Sequence, residues 1–407
     1  MKIRIYKPIV FLILIFHAAF IDLPYVEGYG LFKYISLVMV GVFLILQYRT
    51  FKKHKFKEVN LWMILYATMV VISSFVNKDG GLERNVFGVA IIFAITIIEV
   101  FFLFEYFVIK GRMRELITTL YYLLLIYCVL TDVVMVLFPT LHIEKGMYYF
   151  TGNKFTISYL HLQLLIVYLQ KEKYIRHFGK VNMKDIMFMI LSIFSFIVCI
   201  NVECTTGMIG IILLVAFYYF IAKKGKTLKK PQIFIGILVI SVSVLFLFSG
   251  VLQMEPIRYV VEEIFHRDIS LTGRLDIYEK IDSVFLGHVL FGYGMGSSFE
   301  VVMKMIGAPN TQNGVLEIIL QQGILSLILF IVLVWKIFKY VSRRNNINYA
   351  LIMLYIYALF ASVEITLDIS FIIWLGLALV FEEDFEMLNC HKENRLNGKD
   401  NCEKCNF

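Results

Sequence analysis

The chain has 407 residues, of which 59% are hydrophobic and only 17% charged, with a mean hydropathy of +0.77; a soluble domain carries about 25% charged residues. That composition excludes a soluble enzyme and predicts an integral membrane protein. The formal net charge of +8 therefore bears on orientation in a bilayer, and is no nucleic-acid signature unless it gathers into a patch.

The amino terminus reads MKIRIYK and then PIVFLILIFHAAFIDL, the charged-then-apolar form of a signal peptide. Further apolar spans follow and no clear small-x-small cleavage site is present, so the segment is expected to stay as a first span. Apolar runs fall near 8–23, 29–47, 60–76, 86–109, 116–138, 155–170, 184–200, 206–222, 232–250, 313–335, 348–363 and 366–381, giving twelve candidate spans. Several are shorter than the roughly 20 residues needed to cross the hydrocarbon core, and the last two also suit one re-entrant hairpin. The expected fold is an all-α polytopic membrane helix bundle of about twelve spans over residues 1–381, with one long extracytoplasmic loop at 251–312. Residues 382–407 are polar and mixed in charge and are expected to form a disordered cytoplasmic tail.

Charge sets the expected orientation. Alternate connectors are basic, including Arg49 to Lys57, Lys110 to Arg114, Lys171 to Lys184, Lys223 to Lys230 and Lys336 to Arg344, which places them and both termini in the cytoplasm. The expected location is the bacterial plasma membrane, with loop 251–312 outside. Cys128 and Cys199 lie in apolar runs and Cys204 sits alone, which argues against a disulfide framework. Cys390, His391, Cys402 and Cys405 crowd the tail at a spacing that matches no standard zinc module, so no metal is expected.

Ionisable residues in apolar runs are costly and mark function. Glu99 is mid-span, whereas Asp22, Glu27, Asp132, Lys154, His161, Glu203, Glu317, Glu364 and Asp368 fall at the ends that face loop 251–312. Singly each reads as a headgroup contact; as a set they predict a polar cavity capped by that loop. From Thr272 the loop has an amphipathic pattern, with Leu275, Tyr278, Ile281 and Phe285 on one face and Asp276, Glu279 and Asp282 opposite. Gly292, Gly294 and Gly296 then break regular structure. The GYGMGS run lacks the strand before and the helix after that a dinucleotide fingerprint needs, and tight turns are expected instead. No HExxH, P-loop or DxD-type pair occurs in the loops.

The loop resembles that of the bacterial O-antigen ligases and the O-antigen and capsule polymerases. The matching residues are Thr272-Gly273-Arg274, Gly292-Tyr293-Gly294, and Asn313 followed by Leu316 and Gly323. That resemblance implies a membrane glycosyltransferase that moves a sugar chain from undecaprenyl pyrophosphate to an acceptor sugar hydroxyl, with no cofactor, metal or nucleotide. The partners implied are the lipid-linked oligosaccharide, membrane lipid and a chain-length regulator, with no nucleic acid. Arg274 is the leading pyrophosphate ligand, because a guanidinium stays charged and offers a planar fork of donors. Thr272 and Asn313 join it by motif, and Arg258 and Arg267 are nearby alternatives. Ligases of the family carry a second Arg at the start of a span, where this chain reads Cys204-Thr205-Thr206-Gly207; that second contact is missing or is supplied by another residue such as Arg84 or Lys154. The family's His falls on Gln312, a neutral amide that can orient an acceptor but cannot deprotonate it. His288 and Glu317 are then the first candidates for the base, followed by His266 and Asp276. These departures favour a polymerase over a ligase; a flippase or transporter of lipid-linked sugars is the alternative from another class.

Overall fold

Continuous apolar stretches satisfy their backbone polar groups inside a bilayer only as helices or closed barrels. The protein, seen in a computed structural model that describes residues 8–144, 146–175, 183–218, 225–247, 259, 274–344 and 348–397, has a helix in every one of those runs. They are α1 (Pro8–Ala19), α2 (Tyr29–Leu46), α3 (Lys57–Val76), α4 (Val86–Ile109), α5 (Met113–Leu137), α6 (Lys154–Ile175), α7 (Met183–Asn201), α8 (Thr205–Ala216) and α9 (Pro231–Leu247). The long loop contributes α10 (Arg274–Phe285) and α11 (Ser298–Ile306), followed by α12 (Gly314–Ser342), α13 (Ala350–Phe360) and α14 (Ile369–Asn397). Among the described residues the sole β feature is an isolated bridge between Tyr149 and Gly152, so the fold is all-α.

Among the described residues six helices are long and apolar enough to cross a membrane: α2, α3, α4, α5, α7 and α12. That supports a polytopic membrane protein and does not confirm the expected twelve spans. Helices α1, α8, α9 and α13 are apolar but shorter, and α6 places His161, Gln163 and Gln170 in the protein interior.

Burial separates two kinds of helix. On α2, Leu31, Val38 and Ile45 are exposed at heptad spacing, an apolar stripe suited to lipid. On α13, apart from Leu359, and on the first half of α14, from Phe371 to Phe381, the apolar side chains are buried, as in a core helix. Helix α13 has 11 residues, about 17 Å at 1.5 Å per residue and roughly half the hydrocarbon thickness. The chain leaves it at Ala361 and runs irregularly before α14 begins. Irregular backbone at such depth is tolerated where it lines a polar cavity.

Helix α12 is bent at Gly323, whose φ of 78° and ψ of 169° are non-helical. That break removes the helical bond between the Ile324 N–H and the Leu320 carbonyl. Both groups are recaptured by the glycine-rich loop: Tyr293 N–H donates to Leu320 O at 2.7 Å, and Ile324 N–H donates to Val289 O at 2.9 Å. The loop is also pinned to α3, where the Ser73 hydroxyl donates to Phe291 O and Met295 N–H donates to Ser74 Oγ at 2.9 Å. The GYG segment thus completes a broken helix.

At the opposite end of the bundle, Glu382 and Glu383 are buried. Lys229 pairs with Glu382 at 2.5 Å and Asn348 donates to it at 3.1 Å, while Glu383 meets Lys55 at 3.3 Å and also Arg344. Helix α14 runs through Asn397, so the segment expected to be disordered from Glu382 begins as helix. Its acidic residues read as solvated in sequence because their partners come from distant connectors. Side chains from 384 onward, including Cys390 and His391, and the whole of Cys402 and Cys405 lie outside the described residues.

Candidate active site

A cavity of about 850 Å³ opens at the end of the bundle where α10 and α11 lie. Five pieces of chain build it. Lys154 and Phe155 come from the start of α6, Glu203 to Thr206 from the turn between α7 and α8, and Ile277 and Lys280 from α10. The 306–312 connector closes one side, and Ser362 to Glu364, after the short α13, form the rest. Buried Glu364 is held by two donors, the Tyr159 hydroxyl at 2.9 Å to Oε2 and the Thr206 hydroxyl at 2.5 Å to Oε1. Lys154 Nζ reaches the Glu203 carbonyl at 3.4 Å. Two lysines and two carboxylates therefore share one water-accessible space.

The residues singled out in sequence divide. Gln312 lines the cavity, with its backbone left-handed at φ 52° and its N–H donating to Asn310 Oδ1 at 2.9 Å. Lys154 also lines it. Asn313 is fully buried and caps α12, accepting from Val315 N at 3.1 Å and Leu316 N at 3.2 Å. Its Nδ2 is buried and has no hydrogen-bond partner in the structure.

Glu317 and His288 are not among the cavity residues. Glu317 accepts from the Thr311 hydroxyl at 2.8 Å and from Gln321 Nε2 at 2.7 Å, and Gln321 in turn accepts from Gly296 N at 2.6 Å. It is a bracket between the connector and the glycine-rich loop. His288 stacks on Tyr293 with ring centroids 3.8 Å apart, its Nδ1 3.4 Å from Gly292 O. Burial pushes the Tyr293 hydroxyl up from its ordinary value, so it remains a donor, to Val284 O at 2.7 Å. Arg84 is exposed beside Gly296 and is not among the cavity residues.

Arg274 opens α10, one turn before the cavity residue Ile277; its side chain and that of Asp276 lie outside the described residues, as do Thr272, Arg258, Arg267 and His266. The buried face of α10 runs through Ile277, Tyr278, Ile281 and Val284, with Phe285 packed beside them, so the expected stripe is widened by Ile277 and Val284; the Leu275 side chain lies outside the described residues. The Tyr278 hydroxyl ties this helix to the cavity floor by donating to Ser362 O at 2.8 Å. Sequence reasoning missed Lys280, which lies three residues beyond Ile277, and ranked Glu364 only as one of many span-end charges. Among the described residues no group of three His, Cys, Asp or Glu side chains is placed to hold a metal ion.

Fold and cavity together define a polytopic helical membrane protein with a charged site at one end of its bundle. The family model described as O-Antigen ligase matches residues 190–331, from within α7 into α12, and supports assignment to that family. No curated protein and no solved structure matches the chain. The family match supports an enzymatic role, and with the helical fold it is consistent with a polysaccharide-modifying membrane enzyme.

Proposed function

We propose that the protein is a polymerase of surface polysaccharide repeat units, acting on the outer face of the bacterial plasma membrane. The observation that carries this reading is the cavity itself, because Glu203 to Ile209, Ile277, Lys280 and Ile306 to Gln312 all fall inside the family-matched segment. In the reaction, an acceptor sugar hydroxyl attacks the anomeric carbon of the donor sugar. A carbon–oxygen bond forms, the bond to the pyrophosphate oxygen breaks, and the hydroxyl proton passes to a base. Lys154, Lys280 and Arg274 supply cations for the leaving undecaprenyl pyrophosphate, and Glu364 is the buried carboxylate within the cavity that can accept the proton. Gln312 orients the acceptor. A polymerase is favoured over a ligase because Gln312 stands where the family's ligases carry His and Cys204-Thr205-Thr206-Gly207 where they carry a second Arg.

Orientation follows from charge. The buried Lys229 and the basic Lys55 and Arg344 gather with Glu382 and Glu383 at the end opposite the cavity, as expected for the cytoplasmic side. Leu286 and Lys226 are both exposed, the first in the loop near the cavity and the second between α8 and α9. In a cysteine-free protein in intact cells, Leu286→Cys is expected to react with an impermeant maleimide and Lys226→Cys to remain unlabelled; the reverse pattern would overturn the orientation.

The function is tested with purified protein in proteoliposomes supplied with lipid-linked repeat units. A ladder of longer glycans is expected. Arg274→Ala should remove nearly all of it and Arg274→Lys most, at normal protein abundance, because lysine keeps the charge without the bidentate fork. Translocation of the lipid-linked sugar with no new glycosidic bond would identify a flippase and overturn the reading.

A further inference from the structure

A second pocket, of about 320 Å³, lies beside the reaction cavity. It is formed by the ends of α5 and α7, the 138–150 connector and Tyr25, so it opens at the same end of the bundle. The partition between the two spaces is one small apolar cluster of Ile157, Val198, Val202 and Cys204 with Met135, Tyr149 and Phe155. Met135, Tyr149 and Val198 face the pocket, whereas Phe155 and Cys204 face the cavity.

The pocket has a built polar floor. Asp132, 9% exposed, lines it, and its Oδ2 is buried without a hydrogen-bond partner. The other oxygen, Oδ1, is fixed by His161 Nε2 at 3.3 Å, and His161 Nδ1 is held by Ser195 Oγ at 3.2 Å. A carboxylate oriented by one buried histidine, with an oxygen that has no hydrogen-bond partner, is a ready acceptor for a donor that enters the pocket. Among the described residues no lysine or arginine lines the pocket, so the Asp132 carboxylate would repel a phosphate or an acidic sugar set against it. The walls are aromatic: Phe138, Phe150, Phe194 and the parallel stack of His142 on Tyr149, with centroids 4.7 Å apart. Flat apolar walls around a single orienting acceptor fit a ring with an apolar face and a hydroxyl edge. The volume, at the lower end of ligand sites, suits one such ring.

We propose that this pocket binds one uncharged pyranose ring of the saccharide chain that extends from the reaction cavity, through a hydroxyl donated to the Asp132 carboxylate. It rests on the polymerase reading for the identity of that chain, but its test does not depend on turnover. Free oligosaccharides of one to three repeat units, cut from the surface polysaccharide of cells carrying the protein, are presented to the full chain in nanodiscs and followed by saturation-transfer NMR.

Wild-type protein is expected to bind them, with transfer strongest at the protons of a single neutral ring. Asp132→Asn should weaken binding roughly tenfold through the lost charged acceptor. Ile197→Trp, at a half-exposed wall position where a larger side chain is sterically tolerable, should abolish the transfer. In the polymerisation assay both variants should raise the acceptor KM with kcat little changed. Undiminished binding in both variants would overturn the proposal. So would native mass spectrometry showing a co-purifying phospholipid that is lost only in Ile197→Trp, since the occupant would then be lipid. Saccharide binding with no polymerisation by the wild type would instead sink the polymerase reading and leave the pocket's ligand class intact.

Discussion

Gly323→Ala is expected to eliminate most folded protein, as read by the melting temperature and the monodisperse peak of the detergent-solubilised chain. Two effects add. The backbone at φ 78° and ψ 169° belongs to a region open essentially to glycine alone, at a cost of about 1–3 kcal/mol for any other residue. A Cβ there would also run into the Leu290 carbonyl and the Phe291 backbone, which cannot retreat because Val289 O and Tyr293 N–H are the groups that replace the broken helical bond. Gly292→Ala should behave similarly: at φ 63° its Cβ would meet Leu320 O and the Gln321 and Gln322 backbone. The control is Gly307→Ala, which shares the left-handed conformation at φ 73° but has nothing within 4 Å of the new methyl, so only about 1–2 kcal/mol of backbone strain is expected. Equal melting temperatures for Gly307→Ala and Gly323→Ala would show that the loop does not complete α12.

This case also marks where sequence reading ran out. The glycines of GYGMGS were legible as turn residues, and Gly323 as a motif position, yet their shared purpose lies in contacts between segments some thirty residues apart. The helices themselves were legible because a long apolar run has few other ways to satisfy its backbone. The shortness of α13 was not: residues 348–363 read as one apolar run, and the exit at Ala361 is fixed by the Gly314 N–H donating to Ala361 O at 2.7 Å, an interaction between remote segments. For the site, the sequence grouped Lys154, Glu203 and Glu364, which line the cavity, with a larger set of span-end charges. It could not tell which of them face the open space, because His288, Glu317 and Glu364 differ in packing and not in local pattern. His288 looked suitable for its titration range and Glu317 for its proximity to Asn313, but the first is taken up by Tyr293 and the second by Thr311 and Gln321. The charge of Glu382 and Glu383 misled in the opposite direction, suggesting solvent where Lys229, Asn348 and Lys55 supply buried partners.

Glu364→Gln is expected to lower polymerisation by roughly a hundredfold or more, the usual scale for a lost general base. The carboxylate lines the cavity and is positioned there by the Tyr159 and Thr206 hydroxyls. Glutamine preserves the volume and one acceptor oxygen, so Gln-containing protein should retain its melting temperature within a few degrees while failing to take a proton. A scaffold role would act through the neighbours instead. Tyr159→Phe and Thr206→Val each delete one of the hydroxyls that position the carboxylate, and each is expected to cost much less, about tenfold, since orientation is loosened but the base remains. Glu364→Asp should recover part of the activity and keep the acidic limb of the rate–pH profile, whereas Glu364→Gln should lose that limb altogether. The same loss in Tyr159→Phe as in Glu364→Gln, with the acidic limb retained in both, would show that Glu364 only braces α6 and α8, and the proton would then have to leave with the pyrophosphate. His288→Ala supplies the complementary comparison: with its ring stacked on Tyr293 outside the cavity, its removal should leave kcat within about threefold of the wild type. A hundredfold fall at His288 together with a small one at Glu364 would reverse the assignment of the base.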